Sequence, residues 1–255
     1  MKKLLVLFYG IVNYALGSAA LIYLIAFVFN LFVPLTIDSG EPGNVFLASA
    51  INIGLMSLFG LQHSIMARPA FKKWLSKYLP PAVERSTFLL GTAIVTFALC
   101  LLWQPMPEVI WQADNVVLYN TLLAIGLSGW VLVFVSTFLI NHFDLFGLRQ
   151  VWLYFRGRQY TPLSFKLSAL YKIVRHPIMT GVFIGIWFTP VMTVGHLLFA
   201  AGMSAYILIG VYHEEKDLIT THGSRYLSYM KTTARFFPVS SKGKTINKDP
   251  LTTDM

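Results

Sequence analysis

Residues 4–33 read LLVLFYGIVNYALGSAALIYLIAFVFNLFV, from Leu4 to Val33, without one Asp, Glu, Lys or Arg. Asn13, Ser18 and Asn30 are the clearly polar positions. About twenty consecutive apolar residues cross a bilayer as a helix, so this run predicts a membrane span. Met1-Lys2-Lys3 and Gly17-Ser18-Ala19 resemble the basic start and cleavage site of a signal peptide. The apolar stretch runs well past a signal core of about 7–15 residues, however, and is read as retained.

The same pattern recurs along the chain. Val45–Met66, Thr87–Trp103 and Val116–Ile140 each read as a span, and Ile178–Tyr212 holds no Asp, Glu, Lys or Arg. That last stretch is interrupted near Pro190 and Gly195. It predicts two short helices in a hairpin, about 16 residues and so about 24 Å each. The expected fold class is all-α: a polytopic transmembrane helical bundle of about five to six segments, the last two a helical hairpin.

Composition supports this reading. Of 255 residues, 56% are hydrophobic and 12% charged, against about a quarter charged in soluble domains. A soluble globular enzyme, a disordered chain and a disulfide scaffold are thereby excluded. Cys100 is the only cysteine, so no intramolecular disulfide or cysteine-rich metal site can exist. Aromatics, at 15%, suit membrane spans and their interfacial belts. No internal repeat stands out. One integral membrane domain is expected over residues 1–238, with 239–255 a flexible cytoplasmic tail.

The net charge of +9 is distributed by rule. Lys2 and Lys3 begin the chain, and Asp38 and Glu41 follow the first span. Arg68, Lys72, Lys73, Lys77 and Arg85 outnumber Glu84 after the second, and Glu108 and Asp114 follow the third. Residues 141–177 are basic again, as is the tail. If all segments cross, every Lys and Arg falls on one side. The positive-inside rule puts that side, with both termini, in the cytoplasm, and a bacterial inner membrane is the expected location. Basic residues spread over juxtamembrane loops fit topology and anionic lipid rather than nucleic acid.

Three polar segments on that side could carry chemistry. Pro177 in Arg175-His176-Pro177 fits the first turn of a helix. Arg175 and His176 would then stand at a helix N-terminus, a natural anion site. Gly181 and Gly185 leave one helix face bare for a neighbour or a ligand. The plainer reading is an arginine reaching to lipid phosphate. Glu214 and Glu215 are expected at the C-terminal end of the last apolar helix, where the dipole disfavours acids. At least one should have a positive partner, either Arg175 or a cationic ligand; a solvated helix end is the alternative. His142 could be a base oriented by Asp144, with Arg149 near, provided the helix ends there. A polar cap with interfacial anchors is the alternative. Gln62-His63-Ser64 reads more simply as packing, and His196 falls on the other side. There is no Gly-x-Gly-x-x-Gly, Walker loop, Gly-x-Ser-x-Gly elbow or His-Glu-x-x-His. No metal site is expected.

Arg175-His176-Pro177-x-x-x-Gly181, an apolar hairpin, Glu214-Glu215-x-x-Leu218, Gly223-x-x-Tyr226-x-x-Tyr229 and Phe237-Pro238 form an ordered set. The set resembles the isoprenylcysteine carboxyl methyltransferase and phospholipid methyltransferase superfamily. It departs at Met179, where the family usually has Tyr. His63–Lys72, Pro80-x-x-x-Glu84-Arg85-Ser86-Thr87 and Asn141–Gln150 look like that superfamily's methanethiol S-methyltransferase branch.

The resemblance implies S-adenosylmethionine as methyl donor, S-adenosylhomocysteine as spent donor, methanethiol as the small thiol acceptor and dimethyl sulfide as product. It implies donor contacts from Tyr171, Val174, Arg175, His176, Pro177, Gly181, Glu214, Glu215 and Tyr226. His142, Asp144 and Arg149 are the expected catalytic residues. Competing readings are another thiol, prenyl-cysteine or lipid acceptor, and a non-catalytic transporter or assembly factor. Against the last, no charged residue lies inside an apolar run. The sequence sets no oligomeric state.

Overall fold

The computed structural model describes residues 1–163 and 169–238; the tail expected over 239–255 lies outside them. Among the described residues, five helices are long and apolar enough to cross a membrane. They are α1 (Lys2–Val28), α2 (Val45–Ala67), α4 (Glu84–Leu102, preceded by a 3₁₀ turn), α5 (Val116–Ile140) and α10 (Val194–His222). Between them lie α3 (Pro69–Leu75), the single turn α6 (His142–Leu145), α7 (Leu148–Phe155), α8 (Ala169–Ile173) and α9 (Pro177–Trp187). The short α11 (Ser224–Thr232) follows α10, and β1 (Val109–Gln112) and β2 (Val191–Thr193) are the strands. The protein is an all-α polytopic bundle.

The span starts follow from local chemistry. Asn44 caps α2 by accepting from the amides of Phe46 and Leu47 at 3.0 and 3.1 Å, and Asn115 caps α5 through Leu118 at 2.9 Å. Each satisfies amides that helix geometry leaves unpaired. Large apolar side chains such as Phe8, Ile22, Leu58 and Val131 point outward. That suits a lipid surround, where packing and not hydrophobic exclusion holds helices together.

α5 and α9 make the closest helix pair, antiparallel and glycine to glycine. A Cβ on Gly129 would lie 2.5 Å from the Gly181 carbonyl oxygen, and one on Gly185 2.5 Å from the Trp130 ring nitrogen. Gly181 therefore meets a neighbouring helix. We expect Gly129→Leu to force the pair apart and cost about 1–3 kcal/mol or more. Thermal unfolding of the purified protein in detergent checks this; an unchanged midpoint would refute it.

The hairpin differs from expectation in its proportions. α9 has 11 residues, about 16 Å, because the backbone before Pro190 leaves the helical region. α10 has 29 residues and runs ten past Tyr212, ending at Gly223, whose φ is 57°. Glu214 and Glu215 thus sit two turns inside a helix, not at its end.

The hairpin turn nonetheless reaches the opposite face. β2 pairs antiparallel with β1, which lies between α4 and α5. Thr193 donates to Asp38 at 2.6 Å, Asn30 donates to the same carboxylate at 2.9 Å, and the Val194 amide donates to the Glu108 carbonyl at 2.9 Å. All three acidic-side connections are joined there. His196 is buried beside them, with Nε2 2.8 Å from the Ile186 carbonyl oxygen. Most of the aromatic core sits toward this end: Phe27, Trp103 and Phe199 meet edge to face at 6.2 and 5.9 Å.

Candidate active site at the basic face

The α5–α9 register carries on toward the basic face. Gly129 lies against Gly181 and Gly185, and Val133 against Gly181. One further turn along each helix brings Thr137 level with Pro177. The end of α5 and the start of α9, far apart in sequence, share one depth.

At the start of α9, Arg175 is buried and spent on protein partners. Its Nε and Nη2 lie 2.9 and 2.8 Å from Glu215 Oε1, and its Nη1 donates to the carbonyls of Met230 and Thr233. Glu215, 4% exposed along its side chain, also meets His176 Nε2 at 3.1 Å and Arg235 Nη2 at 2.6 Å. An isolated carboxylate at this depth would be costly; three cationic or hydrogen-bonding partners compensate. Glu214 differs. It is 51% exposed, and His176 Nδ1 stands 3.6 Å away. Consecutive helix residues point about 100° apart, so one acid is internal and the other faces outward.

Residues 233–237 lie across this cluster as a strap. The Arg175 and His176 amides donate to the carbonyls of Ala234 and Arg235 at 2.8 and 3.1 Å, and Thr180 donates to the Phe236 carbonyl at 2.6 Å. Val174 and Ala234 form a parallel bridge. Tyr229 donates to the Tyr171 carbonyl. Burial, and then the charge of Glu215, pushes the Tyr226 phenol up to about 12. Burial likewise raises Tyr171 and Tyr229. These phenols remain protonated donors at neutral pH. Tyr171, Val174, Arg175, His176, Pro177, Glu215 and Tyr226 therefore share one neighbourhood, with Glu214 at its rim.

The third segment divides in two. Asn141 caps α6 through the Asp144 amide at 3.0 Å, and within that single turn His142 and Asp144 point apart. Asp144 is not the partner of His142. Its carboxylate accepts from Arg149 and Arg85, both at 2.7 Å, and from Tyr160 at 3.3 Å; Gln150 donates to its carbonyl at 3.1 Å. Gly147, with φ 88° and Arg85 Cβ and the Ser86 amide 3.0 Å from where a Cβ would sit, lets the chain turn tightly into α7. His142, 6% exposed, meets Thr137 at Nδ1 and Tyr14 at Nε2, at 2.8 and 2.7 Å. Its ring stacks on Phe138 at 4.2 Å and meets Phe146 edge to face. Burial lowers its pKa from the ordinary 6.5, so the imidazole is neutral near neutral pH.

Sequence reasoning missed Arg85, Arg235 and Tyr14. Arg85 and Arg235 carried a weak signal, as charged residues flanking apolar runs. Tyr14 carried none inside its apolar run, although neighbouring Asn13 marks a polar break. No group of three metal-ligating side chains occurs among the described residues. Chemically, the face offers an outward carboxylate, open amides at a helix start and a neutral imidazole.

Comparison with known proteins narrows that chemistry. The chain is 44% identical over 236 residues to methanethiol S-methyltransferase 2 of Bradyrhizobium diazoefficiens, covering 92% of this chain and 91% of that one. It is 42% identical over 242 residues to methanethiol S-methyltransferase of Crocosphaera subtropica, covering 95% of each. It is 28% identical over 184 residues to Nurim of Sus scrofa, covering 69% of this chain and 70% of that one. No family model and no solved structure matches.

Proposed function

Because the chain belongs to the methanethiol S-methyltransferase family, we propose that it methylates methanethiol to dimethyl sulfide, with S-adenosylmethionine as donor. The protein is an integral membrane methyltransferase; the substrate, the donor and the residues that serve them are the proposal. What supports it is the shared depth of Thr137, the partner of His142, and the start of α9, so that a proton acceptor and a helix start suited to an anion would belong to one level of the bundle.

The residues fit such a donor. S-adenosylmethionine offers a carboxylate, an ammonium, ribose hydroxyls and adenine, and when bound supplies a methyl group on a sulfonium. The first amides of α9, after Pro177, have no intrahelical acceptor and suit the carboxylate. Glu214 suits the ammonium or the ribose hydroxyls. Arg175 and Glu215, already paired, brace that helix start and the strap. Tyr171, Val174, His176 and Tyr226 make up the surrounding wall, while Gly181, packed against α5, sets the position of α9. The basic face is then cytoplasmic by the positive-inside rule, where a soluble donor is available, and the apolar acceptor arrives through lipid.

A thiolate, not a thiol, is the effective nucleophile. An alkyl thiol with a pKa of about 8.5 or higher is at most a few per cent ionised at neutral pH. His142 takes the proton. Arg149, held by Asp144, lends positive charge to the same face. Alignment of donor and acceptor provides the rest.

The direct test is purified protein with methyl-labelled S-adenosylmethionine and methanethiol; headspace free of labelled dimethyl sulfide would end the proposal. A finer expectation separates the two glutamates. Glu214→Gln should weaken S-adenosylhomocysteine binding roughly 10- to 100-fold, as for a lost charge-assisted hydrogen bond, with the unfolding midpoint unchanged. Calorimetry showing wild-type affinity would remove Glu214 from the donor site.

A further inference from the structure

Resting on the reading of His142 as proton acceptor, we propose that the hydroxyl of Tyr14 is the group that meets the thiol, and that His142 acts only through it. The argument begins with the hydrogens around the ring. Thr137 Oγ1 donates its proton to the Phe134 carbonyl at 2.7 Å. With that proton on the carbonyl, Oγ1 accepts from His142 Nδ1, 2.8 Å away, an arrangement that puts the ring hydrogen on Nδ1. Nε2 is then the basic nitrogen, and it accepts from the Tyr14 hydroxyl at 2.7 Å.

Both nitrogens are thus occupied, and aromatic rings surround the imidazole. Phe138 stacks on the imidazole, and Phe143, Phe146 and Tyr14 approach edge to face. His142 is 6% exposed, whereas Tyr14 is half-buried. A thiol cannot touch Nε2 without displacing Tyr14, but it can reach the phenol. Asp144 faces Arg85 and Arg149. Among the described residues, the polar groups facing the ring are therefore Tyr14 and Thr137, and both are uncharged.

The step balances. The thiol proton passes to the Tyr14 oxygen while the Tyr14 proton passes to His142 Nε2. The thiolate forms a new carbon–sulfur bond with the donor methyl. The old bond breaks with its electron pair going to the donor sulfur, leaving a neutral thioether. The proton on His142 then returns through Tyr14 to solvent. Phe138 and Phe146 ease the transient imidazolium by ring–cation attraction.

The test is Tyr14→Phe, which keeps the ring and removes the relay. Methylation of methanethiol should fall roughly 100-fold at about pH 7, the lower end for a positioned base. It should recover to within a few-fold of wild type near pH 9.5, where solution supplies about enough thiolate unaided. S-adenosylhomocysteine affinity by calorimetry should not change. A small selenol, far more acidic than a thiol, should be methylated by variant and wild type alike. Wild-type turnover at neutral pH, or a loss equal at every pH and with the selenol, overturns the relay. Should His142→Gln show the pH-rescued loss while Tyr14→Phe does not, His142 is the acceptor and Tyr14 is not its outlet. Should neither lose activity, the reading of His142 itself has failed.

Discussion

Glu215→Ala abolishes measurable donor binding and lowers stability by about 3–5 kcal/mol, the usual cost of leaving one member of a buried ion pair alone. Arg175 is the member left behind. It is 7% exposed along its side chain, so water cannot replace the lost carboxylate. His176 and Arg235 lose the same acceptor, and with it the link between α10, the start of α9 and the strap. The exposed Arg235 contributes little of the energy, because a solvated pair is screened. Unfolding of the detergent-purified variant reads the stability, and S-adenosylhomocysteine calorimetry reads the binding. Wild-type values in both would show that the pair braces nothing. Glu214→Gln, one residue away, is expected to change only the binding, so the two variants together distinguish support from contact.

His142→Gln keeps donor affinity and loses turnover by about 10²- to 10⁴-fold at neutral pH, the range for a positioned base. The wild-type pH profile should follow the same residue. A base works unprotonated, so activity falls as pH drops through the folded pKa. Burial lowers that value from 6.5, so the acid limb lies below the ordinary histidine range. An acid limb above 6.5 would point to a different base. Methyl transfer at several pH values, with donor binding measured separately, decides it.

Much of the architecture was legible because hydropathy and charge report on separate things. Apolar runs such as Leu4–Val33 located the spans, and alternating loop charge collected Arg85, Arg149 and Arg175 on one face. The need of a buried acid for a cation pointed from Glu214 or Glu215 to Arg175 or a cationic ligand, and the structure pairs Glu215 with Arg175. The hairpin proportions were not legible, because apolar runs record hydropathy whereas helix ends are set by backbone geometry at Phe188–Pro190 and Gly223. Nor was the separation of His142 from Asp144. Their partners, Tyr14 and Arg85, lie far away in the chain, and a single capped turn decides which way each side chain points. Glu214 and Glu215 are adjacent letters with opposite surroundings, which only the helix azimuth reveals.

The strap has a consequence for how the protein is made. α9 and α10 are synthesised before residues 233–237, yet Arg175 and His176 take their backbone acceptors from Ala234 and Arg235. A chain ending at His222 would hold the five long apolar helices of the described residues and lack the strap across the start of α9. The start of α9 therefore gains these backbone acceptors only after both helices of the hairpin have been made.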